Sequence, residues 1–155
     1  MSDDRTQAEA LQYFSRRFDA DLSDLEHLRF IARGDDIWAT TAFPSLDLAS
    51  SRTAGLRALR RTPHGLKPTS AFLTLLGPRL RSSIATVQQD SLRQLLMGRQ
   101  IEMNLSDGYV ALKFRDDILG CGRAGSGHVT ALIPTGRRRE LIEALERGPS
   151  KPANL

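Results

Sequence analysis

The chain has 155 residues, 40% of them hydrophobic and 26% charged, which suits one compact domain or two very small ones. No apolar run is long enough to span a bilayer, the polar start Met-Ser-Asp-Asp-Arg carries no secretory pattern, and one cysteine excludes an internal disulfide and a cysteine-based zinc site, so a cytoplasmic protein is expected. The net charge of +4 is uneven: residues 1–52 hold 6 basic and 10 acidic side chains (−4), residues 53–100 hold 8 and 1 (+7), and residues 101–155 hold 8 and 7 (+1).

Residues 7–18 fit an amphipathic helix with Leu11, Phe14 and Phe18 on one stripe. Asp21 or Ser23 suits the N-cap of a short second helix carrying Leu22 and Leu25. Residues 28–33 and 36–41 read as a hairpin about Gly34-Asp35, with Trp38 expected in the core and a ligand-stacking role as the alternative. Residues 42–54, small and polar and punctuated by Pro44, read as a loop that ends an N-terminal subdomain. Residues 56–61 read as a strand. Strict alternation puts Leu56, Ala58 and Arg60 on one face and Arg57, Leu59 and Arg61 on the other.

Residues 62–69 form a turn-rich connector, and Thr69 or Ser70 caps a helix through Phe72, Leu73, Leu75 and Leu76 that Gly77-Pro78 stops. Lys67 lies beside that helix start and close in sequence to Arg60 and Arg61. Residues 84–87 read as a short strand, 88–97 as a helix with Leu92, Leu95 and Leu96 inward and Gly98 as C-cap, and Ile101 and Met103 begin another short strand.

The stretch that follows reads as an antiparallel meander. In 109–114, Val110, Leu112 and Phe114 point one way and Tyr109, Ala111 and Lys113 the other. Asp116-Asp117 signals a turn, 118–124 a strand, Gly125-Ser126-Gly127 a second turn and 128–133 a third strand. Pro134 and Gly136 then precede a last helix beginning near Thr135. Its first turn holds Arg137, Arg138 and Arg139, which oppose the helix macrodipole at about 0.3–1 kcal/mol each. Free N–H groups in the same turn favour an anion. A bound phosphate answers both facts; helix-forming arginines pointing into solvent are the alternative. Residues 148–155 read as a flexible tail.

Most candidate chemistry fails on spacing. Gly120-Cys121-Gly122-Arg123-Ala124-Gly125 matches G-x-G-x-x-G, but a dinucleotide fingerprint needs a helix directly after it, and a β-rich run closed by proline follows. The glycines better suit a bulge or a close backbone approach. Cys121 has no neighbouring base and reads as a small buried residue. His27, His64 and His128 are scattered, and no spacing suggests a metal site. No catalytic constellation assembles, so a non-enzyme without cofactor or metal is expected. The basic middle third points to a polyanion partner, or to a solvated face balanced by the acidic N-terminal part. Only Lys67, Lys113 and Lys151 are lysine among 22 basic residues; arginine suits bidentate phosphate contacts, and a GC-rich genome is the alternative source of the bias.

Several of these segments also follow one another as in a known family. Gly65-Leu-Lys-Pro-Thr-Ser-Ala-Phe72 with Leu76-Gly77, then Leu95-Leu96-Met97-Gly98, Gly108-Tyr-Val-Ala-Leu-Lys113, Leu119-Gly-Cys-Gly-Arg123 and Leu132-Ile-Pro-Thr-Gly-Arg137 stand in order. Over roughly residues 55–139 the chain resembles the C-terminal PUA-like domain of the Nop/Sun-family RNA 5-methylcytosine methyltransferases. Residues before it are similar, less specifically, to the small α/β segment that precedes that domain. The resemblance implies an α+β fold: a small PUA-like β-barrel with packed helices over 55–147, after an α/β subdomain over 1–54. It implies RNA binding in ribosomal or transfer RNA modification and ribosome biogenesis. The methyltransferase domain and its catalytic cysteine motifs are absent from these 155 residues. Thr135 stands where those enzymes often carry lysine, and Arg137 to Arg139 are expected to compensate. The expected RNA contacts are Arg57, Arg60, Arg61, Lys67, Arg123, Arg137, Arg138 and Arg139, with ribosomal or transfer RNA as partner. The alternative is an accessory subunit that docks on a separate RNA methyltransferase or ribosome-assembly factor, with residues 1–52 as its protein-facing side.

Overall fold

The computed structural model describes residues 2–41 and 55–147, so the loop expected at 42–54 and the tail expected at 148–155 lie outside the described residues. Helix α1 (Ser2–Phe18) begins earlier than its apolar stripe, and Asp4 suits the positive end of its dipole. It buries Ala10, Phe14 and Phe18, spaced four apart on one face. Helix α2 (Leu22–Leu25) is a single turn capped by Asp21, whose carboxylate accepts the Ser23 N–H at 3.1 Å.

Strands β1 (Leu28–Arg33) and β2 (Asp36–Thr41) form the expected hairpin, with Gly34 at φ 61° in its tight turn. Strands β3 (Gly55–Thr62) and β4 (Gly65–Pro68) extend the same antiparallel sheet in the order β1-β2-β3-β4. Because β2 pairs with β3, hydrogen bonding runs across the boundary expected at residue 54. Helix α3 (Ser70–Leu76) is capped by Thr69: the Phe72 N–H donates to its hydroxyl at 3.1 Å, and that hydroxyl donates to the Arg57 carbonyl at 2.6 Å. One side chain thus closes a helix start onto a strand.

The second sheet contains β5 (Ile84–Val87), β6 (Ile101–Glu102), β7 (Gly108–Phe114), β8 (Asp117–Gly125) and β9 (His128–Ala131) in the order β5-β7-β8-β9-β6. Only β5 and β7 are parallel, and the sheet curls into a half-barrel. The meander is present with shifted ends. Arg115, at φ 57°, and Asp116 make the first turn, since Asp117 already pairs with Phe114. Strand β9 stops at Ala131, and Leu132 then donates its N–H to the Cys121 carbonyl at 2.8 Å. Helices α4 (Gln89–Leu96) and α5 (Thr135–Glu146) pack on each other, with Gly98 at φ 88° just past the end of α4.

The mixed α+β architecture has a core on each face of the half-barrel. Val110 and Leu112 join Leu92, Leu95 and Val129 on one side; Ala111 and Cys121 join Phe14, Phe30 and Phe72 on the other. The alternation read along β7 is therefore real, and both of its faces are covered. Helix α3 sits between the sheets, touching β3 and β8. Its Phe72 ring lies 5.1 Å from Phe14 and 6.0 Å from Phe30, and burying each such ring contributes about 2–3 kcal/mol. The Cys121 N–H donates to the Ser70 hydroxyl at 2.9 Å, which ties the start of α3 to β8.

Candidate nucleic-acid interface

Residues directly opposed in an antiparallel pair share a face of the sheet. In the first sheet Phe30 opposes Ala39 and Ile37 opposes Leu59; all four are buried beneath α1 and α3. On the outer face Ile31 opposes Trp38, Trp38 opposes Arg57, Asp36 opposes Arg60, and Arg60 opposes Lys67. Strict alternation along β3 would separate Arg57 from Arg60. A β-bulge corrects that expectation: between the Ile37–Leu59 and Trp38–Arg57 pairs, Ala58 is an extra residue. Ala58 and Leu59 both turn inward and are fully buried, so Arg57 and Arg60 emerge on the same outer face.

Arg57, Arg60 and Lys67 line a groove of about 200 Å³ with Thr69, Leu132 and Pro134. Pro134 is the residue before α5, so the groove runs from the outer face of the first sheet to the start of the last helix. Arg57 makes an exposed ion pair with Asp36 at 3.4 Å, the kind of contact that contributes at most about 1 kcal/mol. Arg60 and Lys67 make no ion pair among the described residues.

The other expected contacts lie elsewhere. Arg61 opposes Leu66 and turns to the α1 side, where Glu9 accepts its guanidinium hydrogen bond at 2.8 Å and holds its pKa above the ordinary arginine value. Arg123 sits on the half-barrel, over the Tyr109 ring at 5.8 Å, in a separate depression with Gln100, Ser126 and His128. The three arginines of α5 diverge. Arg137, in the first turn, bonds Glu140 at 3.1 Å; the Arg138 N–H closes that turn on Pro134; Arg139 is exposed. The half-buried Arg138 guanidinium donates to Thr135 and lies near Gly98, beside the carbonyl end of α4, where a cation is favourable.

Trp38 is also a correction. Ile37 and Ala39 take the inward positions of β2, so the indole lies half-buried on the outer face, with the Arg33 guanidinium 5.9 Å from its ring centroid. Gly55 is its neighbour: a Cβ there would stand 3.6 Å from the indole Cε3 and 3.2 Å from the Ala39 carbonyl oxygen. Arg29 and Arg33 stand on the same face as Trp38, and the sequence reading missed both. The signal was present, because the pattern around Ile37 and Ala39 already assigns Trp38 to the opposite face.

The glycine-rich run lies wholly within β8 and its closing turn, as a sheet segment rather than a strand-to-helix cradle. A Cβ on Gly120 would meet Ile133 Cγ1 at 2.7 Å and Ser70 Oγ at 2.8 Å; one on Gly122 would meet Leu112 Cδ2 and the Thr130 carbonyl oxygen, each at 2.8 Å. Close approach is therefore what these positions require. Cys121 between them is buried, and burial pushes its thiol up to about 12. Among the described residues, no three His, Cys, Asp or Glu side chains form a group able to hold a metal ion, and no helix is long and apolar enough to cross a membrane. No family model matches the chain, and no curated protein matches it.

Proposed function

We propose that this protein is a non-catalytic RNA-binding module that engages structured ribosomal or transfer RNA in RNA modification or ribosome biogenesis, and that its curled second sheet is a PUA-like barrel. The observation that carries the reading is the groove in which Arg57, Arg60 and Lys67 meet on one surface. Structured RNA offers a dense line of phosphates, and a cluster of cations in a shallow groove matches that charge without needing base edges. The acidic N-terminal segment supports the same choice of residues. Its carboxylates hold other cations of the basic middle third, in the pairs Glu9–Arg61, Asp24–Arg79 and Asp21–Arg81. Arg60 and Lys67 are left facing the groove.

Binding is tested with transfer RNA and ribosomal RNA fragments over a range of salt concentrations. Affinity is expected to fall as a power of salt concentration. Replacing Arg57, Arg60 and Lys67 together by alanine is expected to weaken binding and flatten the log–log slope by about 2, roughly 0.7 per phosphate contact removed. Arg61→Ala, which breaks only the pair with Glu9, is expected to leave the slope unchanged. Salt-independent binding, or equal losses from Arg60→Ala and Arg61→Ala, would overturn the assignment.

A further inference from the structure

The groove is one end of a longer surface, and the other end carries different chemistry. From Lys67 and Arg60 the outer face of the first sheet continues through Arg57 to Trp38, with Arg33 and Arg29 beyond. Arg29, Arg33, Arg57 and Arg60 are exposed; Trp38 and Lys67 are half-buried. Among the described residues Asp36 is the acid on this face, and Arg57 already pairs with it. The surface therefore presents an aromatic ring amid an excess of positive charge, with one guanidinium already over the ring. A Trp on the wet side of a sheet is unusual when inward positions exist for it. Here Ile37 and Ala39 hold those positions, and Gly55 leaves the indole room beside the third strand.

We infer that Trp38 is a stacking platform for an unpaired nucleotide, whose flanking phosphates lie along Arg57, Arg60 and Lys67. This rests on the RNA-binding reading above and adds to it the class of RNA: a strand with at least one base free to leave its helix, at a loop, a bulge or an end. The charge of the face selects a polyanion, and the indole selects a flat aromatic partner. A nucleic acid strand with an open base supplies both within one nucleotide of each other. A fully paired helix offers the phosphates and withholds the base face. Aliphatic or acidic protein partners would use only one of the two features.

Trp38 is the only tryptophan in the chain, so its fluorescence reports on this surface alone. The unaltered protein would be titrated with a short unpaired oligoribonucleotide and with the same ribose-phosphate strand lacking its bases, following both Trp38 emission and fluorescence anisotropy of the labelled strand. The complete strand is expected to quench Trp38 and to bind about 5- to 150-fold more tightly than the base-free strand, the range of one stacked base. Trp38→Leu is expected to bring the two affinities together while its thermal unfolding stays cooperative. Equal affinity for both strands without quenching would overturn the stacking inference and leave the phosphate groove standing. No binding of either strand at low salt would remove the RNA-binding reading itself, and this inference with it.

Discussion

Cys121 illustrates how a single side chain can be misread from its neighbours. It stands between two glycines in a motif that suggests cofactor chemistry, yet its thiol is buried and pushed up to about 12 from an ordinary value of 9.0. Two outcomes follow. Alkylation of the folded protein by iodoacetamide at neutral pH is expected to be slow, and to become fast only once denaturant unfolds the chain. Stability is expected to depend on pH in a defined window. Below about 9 the thiol is neutral in both states and its contribution is complete. Between about 9 and about 12 the unfolded chain releases the proton and the folded chain keeps it. Stability therefore falls as pH rises, by about 1 kcal/mol per unit. The burial of Tyr13 raises its phenol too, and adds to the loss at the upper end. Denaturation midpoints that stay constant between pH 8 and 11 in urea would contradict the burial of both groups.

Strands set the arrangement of the candidate site, and one irregularity in one strand decides it. The bulge at Ala58 puts Arg57 and Arg60 together; regular pairing would have sent one of them into the core. Alternation identified β3 as a strand, but a bulge leaves no mark on a single sequence, so the faces were read wrongly from that point. The Arg61–Glu9 pair was equally illegible, because it joins residues 52 positions apart. Elements whose signals are local came through: the Gly34 hairpin, the Thr69 cap, the glycine end of α4 and the meander. The role read for the β8 glycines was legible for the same reason, since a motif without its helix leaves close packing as the remaining use. Gly122→Ala is expected to cost about 1–3 kcal/mol, read from the urea midpoint, because the added methyl meets both a leucine side chain and a backbone carbonyl at 2.8 Å. Gly136, with nothing near its Cβ position, should accept alanine with little loss.

Over the whole molecule, α3 is the piece that makes two sheets one structure. Phe72 closes an aromatic cluster with Phe14 and Phe30 under the first sheet, and Ser70 is bonded to β8 in the second. The sheets should therefore unfold together. Trp38 fluorescence, which follows the first sheet, and hydrogen exchange at Val110 and Leu112, which follows the second, are expected to give one common midpoint in urea. Phe72→Ala is expected to lower both by the same amount, about 3–5 kcal/mol. Separate midpoints would mean that the sheets are independent. The pairing of β2 with β3 has a different consequence, for how the chain tolerates change. Thr40 stands directly opposite Gly55, so these two residues are neighbours across the sheet although 15 positions separate them in the chain. The cost of closing a chain connection between two such neighbours grows by only about 0.6 kcal/mol for each doubling of its length. A change in the number of residues between Thr40 and Gly55 is therefore expected to spare the pairing that sets Arg57 beside Arg60, so that the spacing can drift across generations while the pairing is inherited unaltered.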